Sequence, residues 1–346
     1  MKKIIIALSI IILLLIGFTK LYFNSNNQLG NLDNKTIEKT NNKKNTKQEK
    51  NRFVSYNGKL KIKGTDLVNQ YDEKIQLKGI STHGIQWYSQ YANKAVMSTL
   101  KNDWNANLFR IALYTEENGY ISNKDLKSKV YEIVNYAIDL DMYVIIDWHI
   151  LSDNNPNKYK KEAIEFFSEM SKKYKNTPNV IFEICNEPNG NTNWHNDIKP
   201  YAIDVINEIR KNSDGIIIVG TGTWSQDILD PANDKLDFDN IMYACHFYAG
   251  THTEWLRNRI LEAKKNIPIF VSEWGVSSAD GNGGVYLEES LKWVNFMNEN
   301  NISWANWSLS DKNESSALLL PNTPVNDISD KYLSESGKFV KEQIKK

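Results

Sequence analysis

The chain contains 346 residues, with 42 Lys and Arg, 42 Asp and Glu, 17 Gly, 8 Pro and 2 Cys. This composition excludes a collagen-like, disulfide-stapled or wholly disordered chain, and the length allows either two ordinary domains or one large barrel domain. Residues 1–52 contain 10 basic and 3 acidic residues, so they carry a net charge of +7 and the rest of the chain carries −7. Because the main body offers no basic stripe, we expect no nucleic acid partner.

The first 52 residues differ in composition from the rest of the chain. Lys2 and Lys3 precede an apolar run over residues 4–18, which is shorter than the ~20 residues that span a bilayer. We interpret residues 1–23 as a signal peptide or an N-terminal membrane anchor. Residues 24–52 are mostly Asn, Lys, Thr, Gln and Glu and predict a disordered polar linker. We therefore expect the protein to be secreted, or tethered to the outer face of the cell membrane through residues 4–18.

Residues 53–346 alternate short β-branched runs with longer stretches of helical periodicity, a pattern typical of repeated βα units. Eight such units predict an α/β fold, the (β/α)8 TIM barrel, as a single domain. Apolar residues recur at helical spacing in segments that include 127–140, 162–174, 201–211 and 287–300. The predicted strands are 75–82, 106–114, 143–149, 180–187, 215–222, 241–248, 267–275 and 303–310.

Two shorter runs precede the first predicted barrel strand. Residues 53–62 and 66–69 predict a short N-terminal β-hairpin that could close the floor of the barrel. The competing fold is an open, doubly wound sheet, which would need a Gly-rich phosphate loop after its first strand. No such loop follows residues 75–82, so the sequence favours the barrel.

Two carboxylates end apolar strand candidates, Glu187 in the fourth and Glu273 in the seventh. In a barrel the carboxyl ends of the strands meet at one mouth, so these side chains would face each other. Glycoside hydrolysis needs such a pair, about 5–5.5 Å apart for retention or about 6.5–9.5 Å for inversion. One carboxylate must be ionised and the other protonated. Arg110 and Tyr248 near Glu273 would hold it charged, and that charge would raise the pKa of Glu187.

Four runs of sequence carry a resemblance to a known family: residues 77–88 (LKGISTHGIQWY), 179–188 (NVIFEICNEP), 269–275 (IFVSEWG) and 308–316 (SLSDKNESS). From about residue 53 to the C-terminus the chain resembles glycoside hydrolase family 5, and specifically its bacterial endo-β-1,4-glucanases. The resemblance implies a retaining mechanism in a catalytic domain over residues 53–346, with Glu187 as acid/base and Glu273 as nucleophile. It carries the family's other active-site positions onto Arg110, His149, Asn186, His246, Tyr248 and Trp307.

Aromatic residues near the strand ends indicate a carbohydrate substrate, because flat rings pack against the apolar faces of sugars. The resemblance places Trp307 beneath the reacting sugar, and Trp87 and Tyr114 on the non-reducing side. Trp224 would line the leaving-group side. The other tryptophans considered are interpreted as packing residues of helices or loops: Trp104, Trp255, Trp293 and Trp304.

Polar residues complete the predicted substrate site. His83 and His149 would bind sugar hydroxyls, although either could be a buried structural histidine. Lys312 and Glu314, which follow the eighth predicted strand, resemble the family's pair that contacts a more distant sugar. We expect no metal and no cofactor, because the sequence lacks a His-Glu-x-x-His motif and a Walker A motif.

We expect an endo-β-1,4-glucanase that acts on a β-1,4-glucan as a monomer. The sequence leaves two alternatives to this activity. Another β-1,4-glycanase activity, on mannan, xylan or mixed-linkage glucan, is one of them, because the same barrel hosts many specificities. A catalytically inactive barrel that only binds β-glucan is the other. Both glutamates and Asn186 are present, so the enzyme interpretation is favoured.

Overall fold

A closed barrel is formed within residues 53–346, the part of the chain that the computed structural model describes. The predicted leader and linker over residues 1–52 lie outside the described residues. From Lys78–Thr82 to Ile241–Ala244 each barrel strand pairs in parallel with the next, and both Ile241–Ala244 and Phe247–Tyr248 pair with Ile269–Gly275. Trp304–Leu309 pairs in parallel with Ile269–Gly275 and with Lys78–Thr82, which closes the sheet. The predicted (β/α)8 barrel is therefore confirmed. The strands are β1 Lys61–Lys63, β2 Asp66–Val68, β3 Lys78–Thr82, β4 Leu108–Tyr114, β5 Tyr143–His149, β6 Val180–Glu183, β7 Ile217–Val219, β8 Ile241–Ala244, β9 Phe247–Tyr248, β10 Ile269–Gly275 and β11 Trp304–Leu309.

Amphipathic helices cover the outside of the barrel. In the helix Leu126–Asp139, four residues are buried at helical spacing and face the strands: Val130, Ile133, Val134 and Ala137. Within residues 53–346 no helix combines the length and the apolar composition needed to cross a membrane. The helices are α1 Val54–Asn57, α2 Ile85–Tyr88, α3 Lys94–Asn102, α4 Leu126–Asp139, α5 Lys160–Lys173, α6 Lys199–Arg210, α7 Leu229–Asn233, α8 Glu254–Ala263, α9 Leu287–Glu299 and α10 Glu335–Lys345.

Alternate residues of each barrel strand point into its interior. On β5, Ile145 belongs to the apolar cluster that fills the lower barrel, whereas Ile146 packs with the helices outside. The same period of two turns Asp147 and His149 inward above that apolar cluster. The apolar floor therefore supports a polar layer at the carboxyl ends of the strands.

The N-terminal hairpin packs beneath the barrel. Its strands β1 and β2 pair in antiparallel register, and Leu60 and Leu67 are buried in the same cluster as the lower barrel interior. The predicted hairpin is thus present, but its first arm is shorter than the predicted 53–62. Residues Val54–Asn57 form α1 instead, because the side-chain amide of Asn57 donates to the carbonyl of Phe53 and closes a helical turn.

Six of the eight predicted strands are longer than the observed strands, and a seventh is interrupted. Three of these differences shape the mouth of the barrel. The predicted strand 180–187 ends at Glu183, although the backbone N–H of Asn186 still donates to the carbonyl of Trp148. The predicted strand 215–222 is reduced to β7. The predicted strand 241–248 is interrupted between β8 and β9, where the N–H of His246 donates to the carbonyl of Ser225. These departures from regular pairing occur at the mouth, where Glu187 and His246 line the cleft and Asn186 is buried next to Glu187.

Candidate active site

The two predicted catalytic carboxylates meet at the mouth of the barrel. Glu187 follows β6, and Glu273 lies on β10; both are buried and line a cleft of about 760 Å³. One oxygen of Glu187, one oxygen of Glu273 and one ring nitrogen of His246 all lie within 4.8 Å of one another. The two carboxyl groups of a retaining glycosidase lie about 5–5.5 Å apart, and those of an inverting one about 6.5–9.5 Å apart. The separation therefore matches direct attack better than insertion of a water between the two groups.

Glu273 is held by two donors. The guanidinium of Arg110, on β4, lies 3.1 Å from Oε2, and the hydroxyl of Tyr248, on β9, donates to Oε1 at 2.7 Å. Both contacts stabilise the ionised carboxylate. The Tyr248 hydroxyl stays protonated, since burial and the charge of Glu273 raise its pKa well above the usual value.

Arg110 is fully buried and contacts three carboxylates. Besides Glu273 it reaches Asp147 at 3.0 Å and Glu183 at 2.7 Å. A lone guanidinium would be unstable in this setting, because burial penalises its charge. The three carboxylates outweigh that burial and raise the pKa of Arg110. Arg110 therefore remains positively charged and holds these three carboxyl groups together beneath the cleft.

Glu187 is held differently from Glu273. Burial first, and the charge of Glu273 second, raise the pKa of Glu187 to about 7. Its oxygen Oε1 lies 2.9 Å from Nδ1 of His246. The two glutamates thus have different partners, a guanidinium and a phenol for Glu273 and an imidazole for Glu187, and Glu187 can carry a proton near neutral pH.

His246 connects Glu187 to a second buried carboxylate. Its Nε2 lies 2.9 Å from Oγ of Ser272, and that hydroxyl donates to Oε1 of Glu183 at 2.6 Å. Burial alone would lower the pKa of His246, but the contacts with Glu183 and Glu187 outweigh it and raise the pKa to about 9. The pKa of Glu183 is lowered to about 2, because Arg110 and His246 overcome the effect of its burial.

Asn186 has its orientation fixed by Arg110. Its Oδ1 accepts from the guanidinium at 2.6 Å, so its amide nitrogen faces Nε2 of His149 at 3.2 Å. Nε2 must then accept, which leaves the hydrogen on Nδ1, 2.6 Å from Asp147. Burial and the nearby Arg110 charge lower the pKa of His149 to about 3, so this imidazole is neutral.

Aromatic rings form one wall of the cleft. Trp307 stacks on His149 at 5.4 Å between ring centroids, and Tyr114 stacks on the same imidazole at 4.1 Å. Trp87 meets Tyr114 edge to face at 5.1 Å and keeps 40% of its surface exposed. The structure thus brings the predicted rings of the non-reducing side together.

The other predicted binding residues lie at the edges of the same cleft. Nε2 of His83 is 4.0 Å from Glu314, whose carboxylate pairs with Lys312 at 2.6 Å. Burial and the charge of Lys312 lower the pKa of His83 to about 3. Trp224, 45% exposed, lines the cleft from the loop after β7. All the residues chosen from the sequence therefore border or support one opening.

The sequence interpretation missed Glu183 and Ser272 as parts of this site. Each is a polar residue inside an apolar strand, and both are fully buried. That pattern was the available signal, since burial of a carboxylate demands partners. Trp304 is fully buried, as its predicted packing role requires, but it lies on β11, within the predicted strand 303–310, rather than on a helix or loop. Trp255 differs from the packing role assigned to it, because 42% of its surface is exposed.

Among residues 53–346, Glu187, His246 and Glu273 form a group that could hold a metal ion, since they offer oxygen and nitrogen ligands close together. Each of the three already has protein partners: His246 and Glu187 contact each other, and Glu273 contacts Arg110 and Tyr248. The absence of a metal requirement remains a prediction.

Comparison with known proteins agrees with this geometry. The model of the cellulase family, glycosyl hydrolase family 5, matches residues 68–313. The catalytic domain of Thermobifida fusca endoglucanase Cel5A is similar in structure, with a TM-score of 0.82 and 34% identity, over 85% of this chain and 99% of that domain. The catalytic domain of alkaline cellulase K gives a TM-score of 0.81 at 34% identity, over 85% of this chain and 95% of that one.

Two curated relatives are similar in sequence over 295 residues, or 84% of this chain. An endoglucanase of Clostridium saccharobutylicum is 55% identical, and Endoglucanase 5 of Pectobacterium carotovorum subsp. carotovorum is 52% identical. The matched region covers 66% of the first relative and 58% of the second, so both extend beyond it. The family match and these identities, over a barrel with paired glutamates at its mouth, show that the chain belongs to glycosyl hydrolase family 5.

Proposed function

We propose that the protein is a retaining endo-β-1,4-glucanase that hydrolyses internal bonds of β-1,4-glucan chains. The observation that carries this proposal is the separation of at most 4.8 Å between oxygens of Glu187 and Glu273. At this distance one carboxylate can bond to the anomeric carbon while the other reaches the glycosidic oxygen. The different partners of the two glutamates support Glu273 as nucleophile and Glu187 as acid/base.

In the first step Glu187 donates its proton to the glycosidic oxygen as the bond to the anomeric carbon breaks. An oxygen of Glu273 forms a bond to that carbon, and the leaving glucan departs with the donated proton. Asn186, fixed by Arg110, is placed to hydrogen-bond the 2-hydroxyl, a contact that strengthens in the oxocarbenium-like transition state. The products of this step are a glycosyl ester on Glu273 and an ionised Glu187.

In the second step Glu187 removes a proton from water, and the water oxygen attacks the anomeric carbon. The ester bond breaks, Glu273 leaves as a carboxylate, and the original β configuration is restored. The change of role has an electrostatic basis. Esterified Glu273 is uncharged, so its contribution to the raised pKa of Glu187 disappears and Glu187 becomes the stable base that this step needs.

Aromatic side chains support a glucan as the substrate. The rings of Trp307 and Trp87 both contact the imidazole of His83, and Trp224 lines the same cleft from the loop after β7. A chain of flat sugar rings can pack across such surfaces while its hydroxyls meet polar groups at the rim. The relatives named above are endoglucanases, which supports β-1,4-glucan over mannan or xylan.

Release of reducing ends from carboxymethyl-cellulose tests the proposal. We expect release by the wild type and none by Glu273→Ala. Equal release by both proteins, or none by the wild type, would contradict the proposed activity and would favour a barrel that only binds β-glucan. Parallel assays on mixed-linkage glucan, mannan and xylan distinguish the alternative glycanase activities, and preference for cellulose-type substrates is expected.

We also propose that the enzyme acts outside the cell, with residues 1–23 as its export signal or anchor. The charged and apolar pattern of residues 2–18 supports this, and a polymeric substrate is accessible only there. Mass spectrometry of the mature N-terminus distinguishes a cleaved leader from a retained anchor, and an intact protein found only in the cytosol would contradict the proposal.

A further inference from the structure

We propose that Trp255 is an additional sugar-binding platform, which holds a glucosyl unit on the leaving-group side of the cleft beyond Trp224. The inference rests on the proposed glucanase function and extends it, since it assigns a binding role to a residue that the sequence interpretation treated as packing. With Trp255 included, the substrate cleft is longer than the cleft that is lined by the residues predicted from the sequence.

Trp255 lies close to the mouth of the barrel. It is the second residue of α8, which follows β9, so it lies at the end of the barrel that holds Glu187 and Glu273. The loop that joins β9 to α8 contributes Thr251 and His252 to the lining of the cleft. The imidazole of His252 is 5.9 Å from the indole of Trp255, measured between ring centroids. Trp255 therefore extends the cleft lining outward.

The indole of Trp255 is partly exposed and is contacted by a guanidinium. Trp255 is 42% exposed, whereas Trp293 on the next helix is fully buried. The guanidinium of Arg259, one turn later on α8, lies 5.2 Å from the centre of the Trp255 ring. A cation over one face fixes the ring and leaves the rest of its surface open. A ring fixed in this way loses little conformational freedom when it binds a sugar.

Polar contacts through Arg259 and Asp227 connect the helix of Trp255 to the turn of Trp224. Arg259 lies 3.9 Å from Oδ1 of Asp227, and the other oxygen of Asp227 accepts from the Thr223 hydroxyl at 2.5 Å. Thr223 immediately precedes Trp224. Arg259 and Asp227 therefore connect the helix that carries Trp255 to the turn that carries Trp224.

The turn that carries Trp224 shows which side of the cleft this surface occupies. Thr223, Trp224 and Ser225 have φ of 52°, 53° and 59°, a left-handed conformation that non-glycine residues rarely adopt. The turn is held by the N–H of Trp224, which donates to the carbonyl of Pro188 at 3.0 Å, and by the Ser225 hydroxyl, which donates to the carbonyl of Asn186 at 2.7 Å. Both acceptors flank Glu187, the proposed acid, so this surface receives the part of the chain that leaves with its proton.

The experiment compares Trp255→Ala and Trp255→Phe with Leu261→Ala, a control on the same helix with the same 42% exposure. Two substrates are used: cellohexaose, which is long enough to extend past Trp224, and a nitrophenyl β-cellobioside, whose leaving group is a single aromatic ring. We expect Trp255→Ala to lower kcat/KM for cellohexaose about 5- to 10-fold, the scale of one lost aromatic contact. The effect is expected in KM, and cleavage should shift toward shorter leaving fragments. Trp255→Phe should retain most of the activity.

Activity on the nitrophenyl substrate separates a binding platform from a structural role. We expect all three variants to match the wild type on it, and Leu261→Ala to match the wild type on both substrates. An unchanged kcat/KM of Trp255→Ala for cellohexaose, or an equal loss on both substrates, would overturn the inference while leaving the glucanase function intact. A wild type that cleaves neither substrate would contradict the proposed function itself, and the inference with it.

Discussion

Nδ1 of His246 lies 2.9 Å from Oε1 of Glu187. On its other side the same imidazole reaches Glu183 through the hydroxyl of Ser272, and Glu183 in turn pairs with Arg110, which contacts Glu273. A continuous series of polar contacts therefore runs from one proposed catalytic carboxylate to the other beneath the cleft. Because every member is buried, changes of charge at one glutamate are felt strongly at the other.

Replacement of Glu187 by Ala should affect substrates according to their leaving groups. Glu187→Ala removes the proposed proton donor, so we expect kcat for ordinary glucans to fall roughly 100- to 10,000-fold. Release of an activated phenol such as dinitrophenol needs no proton, and the first step on such a substrate should proceed. Pre-steady-state release of the phenol measures that step directly. A loss of equal size on both kinds of substrate would argue against Glu187 as the acid.

Removal of the charge at residue 273 should lower the pKa of Glu187. The charge of Glu273 raises this pKa in addition to burial, and Glu273→Gln deletes that contribution while burial persists. We expect the pKa of Glu187 to fall below about 7 yet to stay above that of a glutamate in water. NMR titration of isotope-labelled glutamate side chains measures it. An unchanged or higher value in Glu273→Gln would show that the two carboxylates do not interact as proposed.

Loss of the Ser272 hydroxyl should change the pH dependence of activity through His246. Without this acceptor the protonated imidazole is less stable, so Ser272→Ala should lower the pKa of His246 from about 9. A neutral His246 stabilises ionised Glu187 less, which raises the pKa of Glu187 and moves the alkaline limb of the activity profile to higher pH.

Ser336→Ala is the matched control for this experiment, since Ser336 is buried in α10 and its hydroxyl has no hydrogen-bond partner. Its pH profile should equal that of the wild type. If Ser272→Ala loses activity with an unshifted alkaline limb, the serine serves only packing.

The extent to which the sequence predicts this molecule differs between its parts. The barrel is predictable because apolar strands and amphipathic helices alternate with distinct periods. Glu187 and Glu273 are predictable because each is a carboxylate near the carboxyl end of an apolar run in the sequence. The interaction of Ser272 with Glu183 joins residues 89 positions apart, and strand periodicity does not reveal which inward-facing polar groups will meet. The left-handed turn at Trp224 is equally hidden, because Thr, Trp and Ser rarely adopt positive φ and only tertiary hydrogen bonds impose it here.

The hydroxyl of Tyr248 should contribute to the rate more than to folding. Tyr248→Phe deletes its hydrogen bond to Oε1 of Glu273, and we expect kcat to fall about 10- to 100-fold, because the loss of one charge-assisted hydrogen bond is worth roughly 1.5–3 kcal/mol. The matched control is Tyr174→Phe, since the hydroxyl of Tyr174 is buried without a partner. Steady-state kinetics and thermal unfolding should show a loss of activity in the first variant only. Equal activity of the two variants would exclude a role for Tyr248 in positioning the nucleophile.

The anomeric configuration of the first product tests the central claim most directly. Proton NMR spectra recorded during the first minutes of cellopentaose hydrolysis distinguish the α and β anomers before they equilibrate. Because oxygens of Glu187 and Glu273 lie within 4.8 Å of each other, the account predicts that the β anomer appears first and the α anomer follows only by mutarotation. Initial appearance of the α anomer would mean that water attacks directly, and it would contradict a covalent intermediate on Glu273.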